Sequence, residues 1–351
     1  MSTLSLLSSQ LKNGEDLSLE QAAEAAGLLA RESEDPGAKA EFLTALADKG
    51  ESAVEIAGFA GVFQKLARNP GLEVYADEAI DLCGTGGDGQ GTVNISSVTA
   101  LLVASLGIKV FKHGNRSITS KCGSADFLAA IGFPLDLSNE EFGPALETLN
   151  MVFFFAPNFH PAFKSIMPVR QALAKEGKKT IFNLLGPLIN PGNPSRQLLG
   201  VYAEKLVPLF REALEKKGLS RGIVAHGRLP EGGLDEVSAA GENILAGVGS
   251  LASWEETFGA DRYGYPVAPI EELRGGDLET NLRLFEDLLA GKANPGLTHS
   301  VLLNAAVALV VAGKVAKMEE GVLRAREQLL GGGLKAYMGQ VREYFAGRNQ
   351  A

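Results

Sequence analysis

The sequence predicts an α/β protein: a small N-terminal helical domain over residues 1–75, then a large α/β domain over 76–351 with a mostly parallel central sheet flanked by helices. Three observations predict it. Residues 1–75 carry apolar side chains at helical spacing between recognisable caps. From Ala79 onward short apolar runs alternate with helical stretches, as in a parallel sheet covered on both faces. A glycine-rich loop joins the first of these strands to the first of these helices.

In the N-terminal part, Ser18 and Gln21 have capping-box spacing before a helix that runs through Arg31. Asp35-Pro36 supplies an N-cap and a first-turn proline, and Gly50 closes that helix. Ser52 and Glu55 cap a third, which stops at Asn69-Pro70-Gly71. Its apolar positions Val54, Ile56, Phe59, Val62, Phe63 and Leu66 fit a packed bundle rather than a tail. The plain reading of this bundle is a cap or dimerisation element without chemistry of its own.

The predicted strands of the second part are 80–83, 109–111, 151–155, 198–202 and 222–225, with helices at 93–106, 124–131, 139–149 and 204–217. The stretch 156–194 interrupts this alternation. Its helical pieces lack a partner strand, which predicts a return to the N-terminal bundle over about 160–190, a hinge beside which a cleft forms. Helices are predicted again at 278–290, 297–312, 318–330 and 334–346.

Composition narrows the function. The 351 residues are 45% hydrophobic and 21% charged, with a net charge of −9. So acidic a chain offers no general field for nucleic acid or an anionic membrane, and an anionic ligand needs a local basic cluster. Two cysteines, Cys83 and Cys122, make no disulfide framework and suit a reducing compartment. The N-terminus lacks the charged region of a signal peptide, and the longest apolar run, 301–312, contains Asn304 and falls short of the roughly 20 residues of a span. A cytoplasmic protein without membrane or nucleic-acid partners is expected.

Five glycines fall between Gly84 and Gly91, followed by the polar corner Thr92-Val93-Asn94-Ile95-Ser96-Ser97. Without Cβ atoms such a loop brings backbone N–H groups up to an anion, and the helix N-terminus adds roughly half a positive charge. The alternative is a turn that merely joins strand to helix. Gly84 to Gly89 formally matches G-x-G-x-x-G, but dinucleotide binding needs an acidic residue about 20 positions on. No Asp or Glu occurs between Asp88 and Asp126. Phosphate binding survives this test and nicotinamide binding does not.

A second loop, Lys112 to Asp126, brings Lys112, Arg116 and Lys121 together with the hydroxyls of Ser117, Thr119, Ser120 and Ser124, the last a predicted N-cap. Cations and hydroxyls beside a glycine loop suit a polyphosphate. A solvated basic loop is the bland alternative. The pair Asp235-Glu236, after the fifth predicted strand, suits Mg²⁺, although taken alone a solvated acidic turn is the commoner case. His113, His160, His226 and His299 show no metal-ligand spacing, so no zinc is expected. Cys83 reads as a buried strand residue and Cys122 as a loop filler close to cations.

These blocks together resemble the anthranilate phosphoribosyltransferases of tryptophan biosynthesis. The resemblance is carried by residues 81–97, 112–132 with Lys112-His113-Gly114-Asn115-Arg116, 155–171, 182–191, and 233–238 with Gly233-Leu234-Asp235-Glu236, and it extends over about 75–350. It implies a homodimer that transfers phosphoribose from phosphoribosyl pyrophosphate to the amino group of anthranilate with Mg²⁺. By matching position, Gly84, Gly87, Asp88, Thr92, Asn94, Ile95, Ser96 and Ser97 would hold phosphoribosyl pyrophosphate. Lys112, His113, Gly114, Asn115, Arg116, Ser117, Ile118, Thr119, Ser120 and Ser124 would complete that site. Ser96, Asp235 and Glu236 would serve the metal, and Gly84, Asn115 and Arg170 would receive anthranilate.

The resemblance implies no obligatory general base, and His113 is the candidate to take the amine proton. Two departures stand out. Cys122 replaces an expected Ser, and the loop 226–233 is longer than usual, with room to displace Asp235 and Glu236. The other readings are a phosphoribosyltransferase or pyrimidine nucleoside phosphorylase with another acceptor, and a non-catalytic nucleotide- or nucleic-acid-binding homologue.

Overall fold

The computed structural model describes residues 2–116 and 121–350. Four helices open the chain: α1 (Thr3–Lys12), α2 (Leu19–Leu29), α3 (Pro36–Lys49) and α4 (Ala53–Lys65). The caps read from sequence form as expected. The Ser18/Gln21 and Ser52/Glu55 boxes close reciprocally, and Ala38 N donates to Asp35 at 2.7 Å. Helix α1, capped by Ser2, is not among the predicted helices.

Eight strands follow: β1 (Ile80–Gly84), β2 (Val110–Gly114), β3 (Met151–Phe155), β4 (Arg196–Gly200), β5 (Arg221–Arg228), β6 (Gly233–Leu234), β7 (Asn243–Gly249) and β8 (Glu255–Phe258). The sheet order is β3-β2-β1-β4-β5-β7-β8, with β6 paired to β5. The first five strands pair in parallel and are those the sequence predicts, shifted by up to three residues at their ends. The antiparallel strands β6, β7 and β8 are additions. Between and after the strands come α5 (Ile95–Ser105), α6 (Ser124–Ala130), α7 (Asn139–Leu149), α8 (Ala156–Phe159), α9 (Met167–Lys175), α10 (Leu206–Lys217), α11 (Leu278–Leu289), α12 (Pro295–Val311), α13 (Met318–Leu330) and α14 (Gly333–Ala346).

Alternation along each strand sorts the core into two layers. Ile80, Leu82, Leu198, Ile223 and Ala225 face α5 and α12, while Cys83, Leu199 and Val224 face α10 and the N-terminal bundle. The stretch that interrupts the strand–helix alternation joins the second layer: Ile166, Val169, Leu173, Ile181 and Phe182 share a core with Leu43, Phe59 and Phe63. No helix among the described residues is long and apolar enough to cross a membrane.

The strand order places the switch point at β1 and β4. The chain leaves β1 toward β2 and β3, then returns to lay β4 and β5 on the other side. Ligands of such sheets bind beyond the carboxyl ends of the strands at this point.

Candidate active site

β1 and β4 end in register at Gly84 and Gly200, and the segment containing Asp235 crosses over both ends. A Cβ on Gly200 would stand 1.7 Å from the Asp235 carbonyl oxygen, so only glycine admits this crossing. In the long 226–233 stretch β5 continues to Arg228 and the chain turns back to pair with it as β6, which leads into the acidic pair.

Side chains from two other elements clamp residues 237–239, just past the acidic pair. Asn304 of α12 accepts from Val237 N at 3.1 Å and donates to Val237 O at 2.5 Å. Asn243 of β7 does the same for Ser238, and Ser300 accepts from Ala239 N. In the sequence Asn304 stands out only as an interruption of an apolar run. A lone buried amide in such a run is the available signal.

Past β1 the chain takes positive φ at Gly86, Gly87, Gly89 and Gly91, and all four are exposed. Gly86 N donates to Asp235 Oδ2 at 2.6 Å. The far side of the loop is tied down by Val93 N donating to the Leu273 carbonyl and Gly275 N to the Gly91 carbonyl. Thr92 bridges Arg274. Asn94 stands at the N-cap of α5 without capping it, since its amide donates to the Cys122 carbonyl and accepts from Asn281.

The N-terminus of α5 is met by protein. Ser96 N and Oγ both donate to Glu236 Oε1, at 2.9 and 2.6 Å. The anion at this helix end is therefore a carboxylate of the chain itself, where the sequence suggested a phosphate. Ile95 and Ser97 are buried, their N–H groups bonded to the Val93 and Asn94 carbonyls.

Three carboxylates gather here, Asp88, Asp235 and Glu236, opposed from within the protein by Lys112. Burial, then the neighbouring Asp88 and Glu236, hold the Asp235 carboxyl well above its usual range. Burial also pushes Glu236 up to about 7, against the opposing pull of its bonds from Ser96. Asp88 accepts from Gln90 N through Oδ1, while its Oδ2 is buried without a partner. A divalent cation suits this arrangement. Among the described residues no three His, Cys, Asp or Glu side chains converge on one point as ligands, so such an ion would rely on substrate oxygens as well.

At the end of β2, Lys112 is buried and donates to the Leu82 carbonyl at 2.7 Å, so it acts on the site from beneath. His113 places Nε2 3.2 Å from Nε2 of His160, and burial lowers both rings, His160 to about 4. With that nitrogen engaged, His113 is poorly placed to take a proton from a substrate amine. Arg116 pairs with Asp126 at 2.9 Å. Asn115 is exposed, and its carbonyl accepts from Ala125 N and Ser124 Oγ. The N-cap of α6 is Gly123 rather than Ser124, with Asp126 accepting from its N–H. Ser117, Ile118, Thr119 and Ser120 lie outside the described residues. Cys83 and Cys122 are buried, which raises both thiols and makes neither a ready nucleophile.

A run of ring contacts connects β2 to α9. His113 meets His160, His160 meets Phe163 at 5.7 Å, and the Arg170 guanidinium lies 5.7 Å from the Phe163 ring and 5.2 Å from that of Phe182. Arg170 has no carboxylate partner among the described residues. Sequence spacing tests His160 only as a metal ligand and misses its place in this run.

A family model described as glycosyl transferase family, a/b domain, matches residues 76–335, and its helical bundle domain matches 7–67. An anthranilate phosphoribosyltransferase of Anaeromyxobacter dehalogenans (strain 2CP-C) is 40% identical over 332 residues, 95% of this chain and 96% of that one. The chain belongs to the anthranilate phosphoribosyltransferase family. A second member, from Synechococcus sp. (strain JA-3-3Ab), is 43% identical over 83% of this chain and 82% of its own. The crystal structure of anthranilate phosphoribosyltransferase from Thermus thermophilus superposes with a TM-score of 0.85 at 38% identity, covering 96% of this chain and 99% of that one. The Saccharomyces cerevisiae family member, in complex with PRPP and Mg, shares the fold with a TM-score of 0.83 at 24% identity over 98% of both chains.

Proposed function

We infer that this chain transfers phosphoribose from phosphoribosyl pyrophosphate to the amino group of anthranilate, releasing pyrophosphate. The observation that carries the reading is the cluster of three carboxylates, Asp88, Asp235 and Glu236, opposed by a single buried lysine, beside the exposed glycine loop at the β1/β4 switch point. Ser96, Asp235 and Glu236 would hold Mg²⁺, which when bound neutralises charge on the pyrophosphate. The N–H groups around Gly87 would bind the same oxygens, and Lys112 would add positive charge from below. Thr92, Asn94, Asn115 and Arg116 would border the sugar phosphate, together with the 117–120 stretch.

An aromatic amine is a weak nucleophile, so the chain's main tasks are to ease departure of pyrophosphate and to hold the acceptor in line. Arg170, without a carboxylate of its own and flanked by two aromatic rings, supports the role of anthranilate anchor. Asn115 and Gly84 would complete that pocket. His113 and His160 then serve as a rigid wall. The bundle with its return segment and the sheet domain would form the two sides of the cleft. Exposed Leu6 and Leu19 on the bundle support a homodimer, checked by light scattering. The family's biosynthetic role fits a cytoplasmic setting.

The test follows anthranilate fluorescence in purified protein supplied with phosphoribosyl pyrophosphate and Mg²⁺. A loss that requires every component supports the reading. Binding of phosphoribosyl pyrophosphate without consumption of anthranilate overturns the acceptor, and a panel of other amines and of pyrimidine nucleosides then finds the right one.

A further inference from the structure

Beside Glu236 lies a small cavity of about 10 Å³, the space the centre of one water needs. It is bordered by the polar side chains of Ser96, Thr99, Glu236 and Asn304 and by the apolar Leu82, Leu198 and Ala225. Thr99 is fully buried in α5, one turn beyond the helix end that meets Glu236, and its hydroxyl has no partner in the protein. A helical threonine ordinarily returns its hydroxyl to the carbonyl four residues earlier, and here it does not. Glu236 engages Ser96 through Oε1, and no described residue donates to Oε2.

We propose that this cavity is a hydration site, in which one water accepts from Thr99 Oγ1 and donates to the Glu236 carboxylate, making Thr99 a positioning residue for Glu236. The orphaned hydroxyl, with Glu236 and Ser96 on the same cavity, argues for it against an otherwise largely apolar lining. Empty cavities in proteins are apolar, whereas buried waters are found where two to four polar groups await a partner. Asn304 does not serve Thr99: both N–H donors of its amide go to the Val237 and Ser300 carbonyls, and the Thr99 hydroxyl has no partner in the protein. The water gives Glu236 a second link to α5, beside the bonds it accepts from Ser96. The hydration itself is independent of the proposed activity. Only its consequence for magnesium rests on that reading.

The test compares the wild type with Thr99→Val and Thr99→Ser. A high-resolution crystal structure of the metal-free protein is expected to show a water bonded to Thr99 Oγ1. Thr99→Val is expected to lower Tm, because the water loses a donor, while Thr99→Ser, which keeps the hydroxyl, is expected to lose no more than one buried methyl group costs. A dry cavity reverses the sign: valine removes an unsatisfied hydroxyl and Tm rises, which overturns the hydration site. For the positioning role, Thr99→Val is expected to raise the magnesium concentration for half-maximal rate several-fold, with recovery in Thr99→Ser. An unchanged magnesium requirement in a variant that still turns over overturns that role, whatever the cavity holds. If nothing turns over, the structural and thermal arms still decide the hydration.

Discussion

A Cβ placed on Gly84 would lie 2.1 Å from Oδ2 of Asp235. The last residue of β1 is therefore glycine because a carboxylate from the segment after β6, which crosses over the strand ends, occupies the space a side chain would need. Gly84→Ala is expected to push Asp235 aside by about an ångström, and displacements of that size cost roughly 10²-fold in rate. Steady-state kinetics with both substrates check this, with circular dichroism confirming that the sheet is intact.

Asp235 and Glu236 are held together against burial and mutual repulsion. In metal-free protein, Asp235→Asn is expected to raise Tm at pH 8 by relieving both. The same variant is expected to lose roughly 10²-fold or more in activity, and the thermal stabilisation by phosphoribosyl pyrophosphate with Mg²⁺ is expected to vanish. Differential scanning fluorimetry with and without the ligands reads both effects. A variant that is less stable and equally responsive to ligand would contradict this account of the site.

Arg170 lies over two phenylalanine rings with no carboxylate of its own. Arg170→Ala is expected to raise KM for anthranilate roughly 10- to 100-fold, the worth of a charged hydrogen bond, while KM for phosphoribosyl pyrophosphate stays near wild type. Arg170→Lys recovers little, because an ammonium lacks the planar face that stacks on the rings and the fork that grips a carboxylate. Equal damage to both KM values would remove Arg170 from the acceptor side.

Asp81 of β1 is fully buried with no partner of good hydrogen-bond geometry. Burial, partly offset by Lys112 and by weaker contacts to Asn190, Cys83 and the Leu82 backbone, raises it to about 6. A carboxyl raised above its unfolded value favours the fold only while protonated, so its contribution is present at low pH and is lost as pH climbs through about 6. Asp81→Asn is expected to match wild type near pH 4 and to gain up to about 3 kcal/mol above pH 7. Denaturant unfolding across that range measures it, and a difference that does not vary with pH would refute it.

The parts of this molecule legible in the sequence are those built from neighbours along the chain. The caps at Ser18, Asp35 and Ser52, the five parallel strands and the glycine loop all declare themselves within a few residues. The strands β6, β7 and β8 do not, because glycine punctuates Asn243–Gly249 and the edge strand Glu255–Phe258 is short and largely exposed. The misplaced N-cap at Ser124 has a similar origin, since a hydroxyl at a helix start outweighed Gly123, whose N–H bonds Asp126 in the folded chain.

By itself the sequence determined the fold class, the family and which residues were candidates for the site, because periodicity, caps and motif order are properties of the chain read in one direction. Only the tertiary structure decided what those residues do to one another. Glu236 sits on the helix end at Ser96, His113 is engaged by His160, Asn304 holds Val237, and Thr99 faces a cavity beside Glu236. Each of these pairs lies between 47 and 140 residues apart or depends on a space enclosed by several elements. Hydrogen bonds and burial act over a few ångströms, and which distant residues come that close is settled by packing.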